Sequence, residues 1–302
     1  MSPVVRAWHA LHQLPRRQRW PLKAGFFLLT LLLALYPRVW LLPITIARLA
    51  DANTVIDPTE PRLASLEDQV RAHSADPPDL AVLRQRVEQV VYQHIPYAFD
   101  WETWGVMSFL PTTAEVLDRR RADCEGRAVV AASLLRRLGY EAWLVADLKH
   151  MWVVARDPVT DRAYELMSPG AGARSVVATP EGTRITLDRG LLSNLGRGLA
   201  FGIAVFPLHR ELIIAGALAL VTLQPRSSMR RRVSGVALLI TSLFLLRAGH
   251  DPTSDTAAHP AWIWLGLAAL AAGWLTLAVK AATPGSPPAP LGSLAAGGRL
   301  PG

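Results

Sequence analysis

Long apolar runs on both sides of a polar middle segment constrain the fold of this 302-residue chain more than any other feature. The first run covers residues 24–50, and three later runs cover residues 207–224, 233–249 and 261–281. A transmembrane helix needs about 20 mainly apolar residues, and each run is close to or above that length. The composition, 51% hydrophobic, is also more apolar than that of an ordinary soluble protein. We therefore expect a membrane protein with four transmembrane helices.

The charged residues are divided unevenly between these segments. Residues 51–190 contain 16 Lys/Arg and 21 Asp/Glu, a net charge of −5, whereas the rest of the chain contains 16 and 3, a net charge of +13. Basic residues beside apolar runs mark the cytoplasmic side of a membrane protein. This predicts that residues 1–23 and 226–232 lie inside and that residues 51–190 and 250–260 lie outside. Because the positive charge borders apolar runs, we expect no nucleic-acid partner.

Three terminal or flanking segments complete the predicted organisation. Residues 24–50 resemble a cleaved signal peptide with small residues at 50–52, but the apolar stretch is long for that, so a membrane anchor is favoured. Residues 191–224 are compatible with one tilted span or with an interfacial helix followed by a span. Residues 282–302 are rich in Pro, Gly and Ala without periodicity, which predicts a disordered tail.

The single cysteine, Cys124, lies at a predicted helix start in the segment RRRADCEGRAVVAASLLRRLGY. Asp123 is a typical N-cap residue, so Cys124 takes the first helical position, where free N–H groups and the helix dipole stabilise a thiolate. His150 opens a predicted strand in KHMWVV. A cysteine at a helix start followed by a histidine on a strand is the arrangement of a Cys–His catalytic pair. A small residue that only packs at a helix start is the alternative.

These segments resemble the transglutaminase-like superfamily of papain-like cysteine enzymes, and within it the bacterial membrane-anchored cysteine peptidases. The similar stretches are PTTAEVLDRRRADCEGRAVVAASLLRRLGYEAWLV, HMWVVARDP and, upstream, IPYAFDWETWG, within residues 85–170. The resemblance implies an α+β papain-like domain over residues 51–190, with a Cys-bearing helix packed on an antiparallel sheet, joined to transmembrane helices. It also implies that Cys124 is the nucleophile, that His150 is the base, and that the domain is extracytoplasmic at a bacterial plasma membrane.

The third catalytic position departs from the family pattern. The family places an Asp before a Pro on the next strand, where it orients the histidine. If the DPVTD turn pairs Arg156 with Arg162, Ser168 lies opposite His150 in that position, and Glu165 points to the other face of the sheet. A serine hydroxyl can accept the imidazole N–H, but it has no charge to stabilise an imidazolium.

The aromatic segment and the residues after the cysteine complete the predicted site. Trp101 and Trp104 are candidates for lining a substrate cleft, with a role in the core as the alternative. Calcium sites in the bacterial branch of the family use acidic residues near the cysteine. Gly126 stands where a second acid would follow Glu125, so we expect no metal and no cofactor.

These patterns predict a membrane-anchored cysteine enzyme. It would attack amide bonds of extracytoplasmic peptides or proteins through a Cys124 thioester, which water or an amine would then resolve. Ser168 in place of an acid supports the alternative, a catalytically weakened binding or scaffolding module at the membrane surface. A transporter-like bundle has less support, because Arg210 and Glu211 are the only polar pair within a later run. The expected partners are a peptide or protein substrate and the lipid bilayer, and no oligomeric state is favoured.

Overall fold

The chain has a mixed α+β fold in a computed structural model that describes residues 3–72, 79–147, 150–168, 176–179, 182–185, 191–224, 227–249 and 259–279. The predicted disordered tail, residues 282–302, lies outside them. The helices are α1 Pro3–Gln13, α2 Arg16–Leu35, α3 Leu41–Ala50, α4 Leu63–Arg71, α5 Leu80–His94, α6 Asp100–Thr103, α7 Thr113–Arg119, α8 Cys124–Arg137, α9 Leu191–Val205, α10 Leu208–Thr222, α11 Met229–Ala248 and α12 Pro260–Ala278. The strands are β1 Glu141–Ala146, β2 Met151–Arg156, β3 Ala163–Leu166, β4 Val176–Thr179 and β5 Gly182–Ile185.

An antiparallel sheet with the strand order β3-β2-β1-β4-β5 forms one layer of the polar segment. Helix α8 packs on β1 and β2, and α5 packs on α8 and β3. The apolar faces of α5 and α8 make this contact, since Leu83, Val87, Ala131 and Leu135 are all at most 1% exposed. Burial of such faces is the main source of stability for helices of this length. The structure thus confirms the helix and the antiparallel strands predicted after Asp123.

Side chains at the helix starts fix where α7 and α8 begin. A capping box forms at the start of α7: Glu115 N donates to Thr112 Oγ1 at 3.3 Å, and Thr112 N donates to Glu115 Oε2 at 2.7 Å. The Asp123 carboxylate accepts the backbone N–H of Glu125 at 3.1 Å, so α8 starts at Cys124 as predicted. Each cap satisfies an N–H group that the helix itself leaves unpaired.

The register between β2 and β3 differs by one residue from the prediction. Arg156 pairs with Ala163 instead of Arg162. The turn causes the shift, because Asp161 adopts a left-handed conformation at φ 55° and adds a residue before the strand begins. Glu165 therefore lies directly opposite Val154, on the face that we expected it to avoid.

The apolar segments form helices that differ in their content of charged residues, since α2 and α11 have 20 residues each but include four basic residues each. Among the described residues, Ala261–Ala278 is the one stretch long and apolar enough by itself to cross a membrane, and the bent pair Gly198–Val205 and Leu208–Thr222 would add a second if counted as one span. The expected anchor over residues 24–50 is interrupted between α2 and α3. Arg48 of α3 donates to Leu110 O at 2.9 Å, which ties α3 to the α+β segment.

The helices after the sheet pack through glycines. A Cβ added to Gly235 would lie 2.6 Å from Leu277 Cγ, and one added to Gly273 would lie 3.0 Å from Gly235 O. A Cβ added to Gly266 would lie 2.7 Å from Leu246 Cγ. These contacts run in opposite directions along α11 and α12, so the two helices form an antiparallel pair at close range. Small residues at such positions let helix backbones approach closely.

Candidate active site

Cys124 opens onto a cavity of about 170 Å³ at the start of α8. A short parallel bridge between Tyr97 and Ala122 aligns the preceding loop with this helix start. Ala98 N donates to Ala122 O at 3.1 Å, and Ala122 N donates to Pro96 O at 3.2 Å. Cys124 is partly exposed as a residue and lines this cavity.

His150 lines the same cavity from the start of β2. Asp147 holds the histidine backbone from both sides: Asp147 N donates to His150 O at 2.9 Å, and His150 N donates to Asp147 Oδ1 at 2.7 Å. The hairpin between β1 and β2 thereby brings His150 back to the helix that carries Cys124. The structure therefore places the predicted nucleophile and the predicted base in one cavity.

The imidazole of His150 is held by a backbone carbonyl. Its Nε2 lies 2.7 Å from the carbonyl oxygen of Met167. A carbonyl can only accept, so in the neutral imidazole Nε2 carries the proton and Nδ1 is the free acceptor. Met167 has a left-handed conformation at φ 59°, and its N–H donates to Glu88 Oε1 at 2.5 Å. These two features orient the carbonyl, and neither has a recognisable sequence signal.

The paired part of β3 ends at Leu166, before Ser168. The register that placed Ser168 opposite His150 differs by one residue from the observed one, and Met167 leaves the strand conformation with a left-handed backbone. The catalytic role of Ser168 therefore stays a prediction. The group that contacts the imidazole is the carbonyl of Met167, one residue earlier, and it is uncharged.

The two tryptophans proposed for the cleft have different positions. Trp101 lines the cavity and stacks on Phe99 with ring centroids 4.2 Å apart. Trp104 is buried, at 8% exposure, and packs against Phe109. The guanidinium of Arg119 lies over the ring of Trp104. Trp101 is therefore a wall residue as predicted, whereas Trp104 belongs to the core.

Three carboxylates from two helices meet beside Cys124. Oxygen atoms of Asp100, Asp123 and Glu125 all lie within 4.8 Å of one another. Asp100 is 2% exposed and accepts the N–H of Phe109, and the Ser108 hydroxyl donates to Glu125 at 3.2 Å. The sequence pattern drew attention only to the acids flanking the cysteine, because Asp100 reaches the site from the separate helix α6.

Burial and mutual repulsion keep protons on this cluster. Burial, followed by the charges of Asp123 and Glu125, raises the pKa of Asp100 to about 11. Burial followed by the charge of Asp123 raises the pKa of Glu125 to about 8, and burial raises the pKa of Asp123 to about 6. At neutral pH the cluster therefore carries less negative charge than three exposed carboxylates would, and Asp100 holds its proton most strongly.

The thiol of Cys124 is harder to ionise than its place on the helix suggested. Burial, then the charges of Asp123 and Glu125, raises the pKa of Cys124 well above its ordinary value. The backbone N–H of Met151 acts in the opposite direction on the sulfur. We had expected the helix dipole to stabilise a thiolate, but burial and the nearby acids outweigh that contribution in this conformation.

The carboxylate cluster is also the set of described residues best suited to hold a metal ion. Three carboxylate groups at this spacing suit a hard divalent cation such as Ca²⁺. Our reason for expecting no metal, Gly126 after Glu125, considered only neighbours in sequence. Gly126 has a packing role instead, since an added Cβ would lie 2.5 Å from Ala122 Cβ.

The bend between α9 and α10 forms the far wall of the cavity. Helix α9 ends at Val205, and α10 starts after Pro207 at an angle of 120°. Phe206 at the bend packs edge-on against Trp101, with ring centroids 5.7 Å apart. The side of α9 that faces Cys124 contributes Gly198, Phe201, Gly202 and Val205. The apolar pattern of this segment indicates only a membrane location, so it does not predict this contribution to the site.

No protein-family model matches this chain, and no curated protein matches its sequence. The assignment of a function therefore rests on the geometry described above.

Proposed function

We propose that this protein is a membrane-anchored cysteine enzyme with a transglutaminase-like, papain-like domain. It would attack amide bonds of extracytoplasmic peptides or proteins through Cys124. The observation that carries the proposal is the placement of Cys124 and His150 on one cavity, from a helix start and a strand start.

The raised pKa of Cys124 determines how the first step would run. At neutral pH the sulfur holds its proton, so the thiol needs a base during attack. His150 is suited to this role, because the Met167 carbonyl holds Nε2–H and leaves Nδ1 as the acceptor. As sulfur forms a bond to the amide carbon, His150 takes the thiol proton and then passes it to the leaving amine. The product of this step is a thioester on Cys124.

The second step would restore the free cysteine. Water or a second amine attacks the thioester carbon, and His150 takes its proton as the carbon–sulfur bond breaks. That proton returns to the sulfur, so the thiol is regenerated. Water gives hydrolysis and an amine gives acyl transfer. The aromatic wall of Trp101 and Phe99 excludes part of the solvent from this reaction.

Several features of the helical part support a membrane location. Large apolar side chains are exposed along its outer surface, among them Leu28 at 60%, Phe244 at 58% and Trp264 at 61%. Contiguous apolar surface of this kind marks a membrane or partner interface. The glycine contacts between α11 and α12 are also typical of packing within lipid. The charge distribution favours an extracytoplasmic site.

The proposal is tested by labelling the single thiol of the full chain in lipid nanodiscs. A peptidyl acyloxymethyl ketone reacts slowly with ordinary thiols, whereas iodoacetamide alkylates any accessible thiolate. We expect the ketone to label Cys124 and His150→Ala to lose that labelling, while iodoacetamide still labels the variant at high pH. The matched control is His94→Ala on α5, whose ring contacts Val90 O and Gln69. Equal ketone labelling in wild type and His150→Ala would refute the proposal.

A binding module is the second candidate, and two observations favour it. The group on His150 Nε2 is an uncharged carbonyl, which stabilises an imidazolium less than a carboxylate would. The cysteine is also surrounded by acids that oppose its ionisation. In that case the ketone would not react with Cys124, and iodoacetamide would alkylate wild type and His150→Ala at the same rate at every pH.

A further inference from the structure

A second cavity of about 300 Å³ lies between the helices next to the candidate active site. Helices α2, α9, α10, α11 and α12 all contribute to its wall. The wall is almost entirely aliphatic, and it includes Leu31, Leu35, Leu218, Leu239, Leu243 and Leu270. A cavity of this volume is within the range of sites that bind small ligands.

The two cavities share a wall. Met107, Gly198, Gly202 and Phe206 line both of them. Two of these four residues are glycines, so the partition between the cavities is thin. A ligand that enters the aliphatic cavity therefore ends beside the cavity that holds Cys124 and His150.

Among the described residues, Glu211 is the one charged residue in the wall of the aliphatic cavity. Arg247 forms an ion pair with Glu211 Oε2 at 2.5 Å and also donates to Phe206 O at 3.0 Å. This pairing neutralises the wall and holds the bend at Phe206. Glu211 Oε1 has no hydrogen-bond partner among the residues that the structure describes, so the wall offers one acceptor for a polar group near the chain.

We propose that the substrate is a lipid-linked amide whose aliphatic chain occupies this second cavity. The inference rests on the proposed function, because it names the substrate class of the Cys124 site. A peptide would leave backbone N–H and C=O groups unpaired against leucine side chains, which is costly, whereas a hydrocarbon chain has none to pair. A chain in the aliphatic cavity would place its amide next to Cys124, which explains why this cavity shares a wall with the cavity that Cys124 and His150 line.

The test uses N-alkylmaleimides with methyl, butyl and octyl chains, which react with Cys124 as the single thiol of the full chain. The decisive comparison is Ile214→Trp, which fills the aliphatic cavity, against Ile213→Trp, which changes the exposed side of the same helix. Both variants experience the same partitioning of reagent into the nanodisc bilayer. Burial of each methylene is worth about 0.8 kcal/mol, or roughly four-fold.

We expect the ratio of the octyl to the methyl labelling rate to fall about 15-fold in Ile214→Trp, which corresponds to two methylene groups that are no longer buried. The ratio should stay unchanged in Ile213→Trp. Equal ratios in wild type and both variants would overturn the proposal. An N-acylglycinamide with a diazirine at the chain end provides a readout that does not depend on thiol reactivity. Its crosslinks should map to Leu218 and Leu239 and disappear in Ile214→Trp, whereas crosslinks confined to the exposed faces would overturn the inference.

The two proposals fail in different ways. If Cys124 is not a catalytic nucleophile, the peptidyl ketone leaves it unlabelled, but the diazirine crosslinks still report the aliphatic cavity. If the cavity takes no chain, the ketone still labels Cys124, and an N-terminal acyl chain on that ketone gives no gain in rate over the acetylated form.

Discussion

The carboxylate beside Cys124 provides the sharpest prediction from this structure. The substitution is Asp123→Asn, which removes the charge and keeps an oxygen that can accept the Glu125 N–H. Asn and Asp cap helix starts about equally well, so α8 should keep its stability. Because the charge of Asp123 raises the pKa of Cys124, its removal should lower that pKa.

The expected size follows from the ionisation state of the cluster. With a pKa of about 6, Asp123 is the ionised member at pH 7, whereas Glu125, with a pKa of about 8, is mostly protonated. Removal of one like charge shifts the pKa of a nearby group by about one unit or more. One unit gives ten-fold more thiolate, but a less basic thiolate is about three-fold less nucleophilic, so the rate should rise about three-fold.

The assay is the rate of iodoacetamide alkylation of the full chain against pH, read by intact mass. The matched control is Asp79→Asn, an equivalent cap substitution at the start of α5. Loss of the Asp123 charge also makes Glu125 easier to ionise, so Asp123→Asn combined with Glu125→Gln should lower the thiol pKa further. An unchanged or higher thiol pKa in Asp123→Asn would refute the electrostatic account of this site.

Three substitutions test the packing that holds the site, each by the free energy of unfolding. Ser133→Ala breaks a network in which the fully buried residues Ser133 and Thr113 both accept the N–H of Asp57, and should cost about 1–3 kcal/mol. The control is Ser65→Ala at an exposed position, which should cost less than about 0.5 kcal/mol. Equal losses in Ser65→Ala and Ser133→Ala would contradict the role of the network. Gly126→Ala should cost about 1–3 kcal/mol through its clash with the preceding turn, and a gain in stability would contradict it. Thr112→Ala removes the cap of α7 and should lower the free energy of unfolding by about 1 kcal/mol. An unchanged free energy of unfolding would mean that Glu115 alone is sufficient to cap the helix.

Local signals in the sequence predicted local structure well. The spacing of apolar residues in α5 and the cap residues before α7 and α8 act within a few residues of one another, so they depend little on the rest of the fold. Cys124 and His150 were identified because each occupies an element boundary that such signals define. The β2–β3 register was missed because one left-handed residue, Asp161, decides it, and an Asp in a turn is compatible with several conformations.

The features that change the chemistry of the site come from distant parts of the chain. Asp100 reaches Glu125 because the Tyr97–Ala122 bridge places α6 against the start of α8. Phe206 reaches Trp101 because the chain bends after α9. Neither contact has a periodic or local signature, yet together they set the thiol pKa and the shape of the cavity. The cysteine and histidine motifs alone therefore predict an activated thiolate, whereas the assembled site raises the pKa of the thiol, which under the proposed mechanism would lose its proton during attack. The two descriptions differ in the sign of the pKa shift at Cys124, so its alkylation profile against pH decides between them.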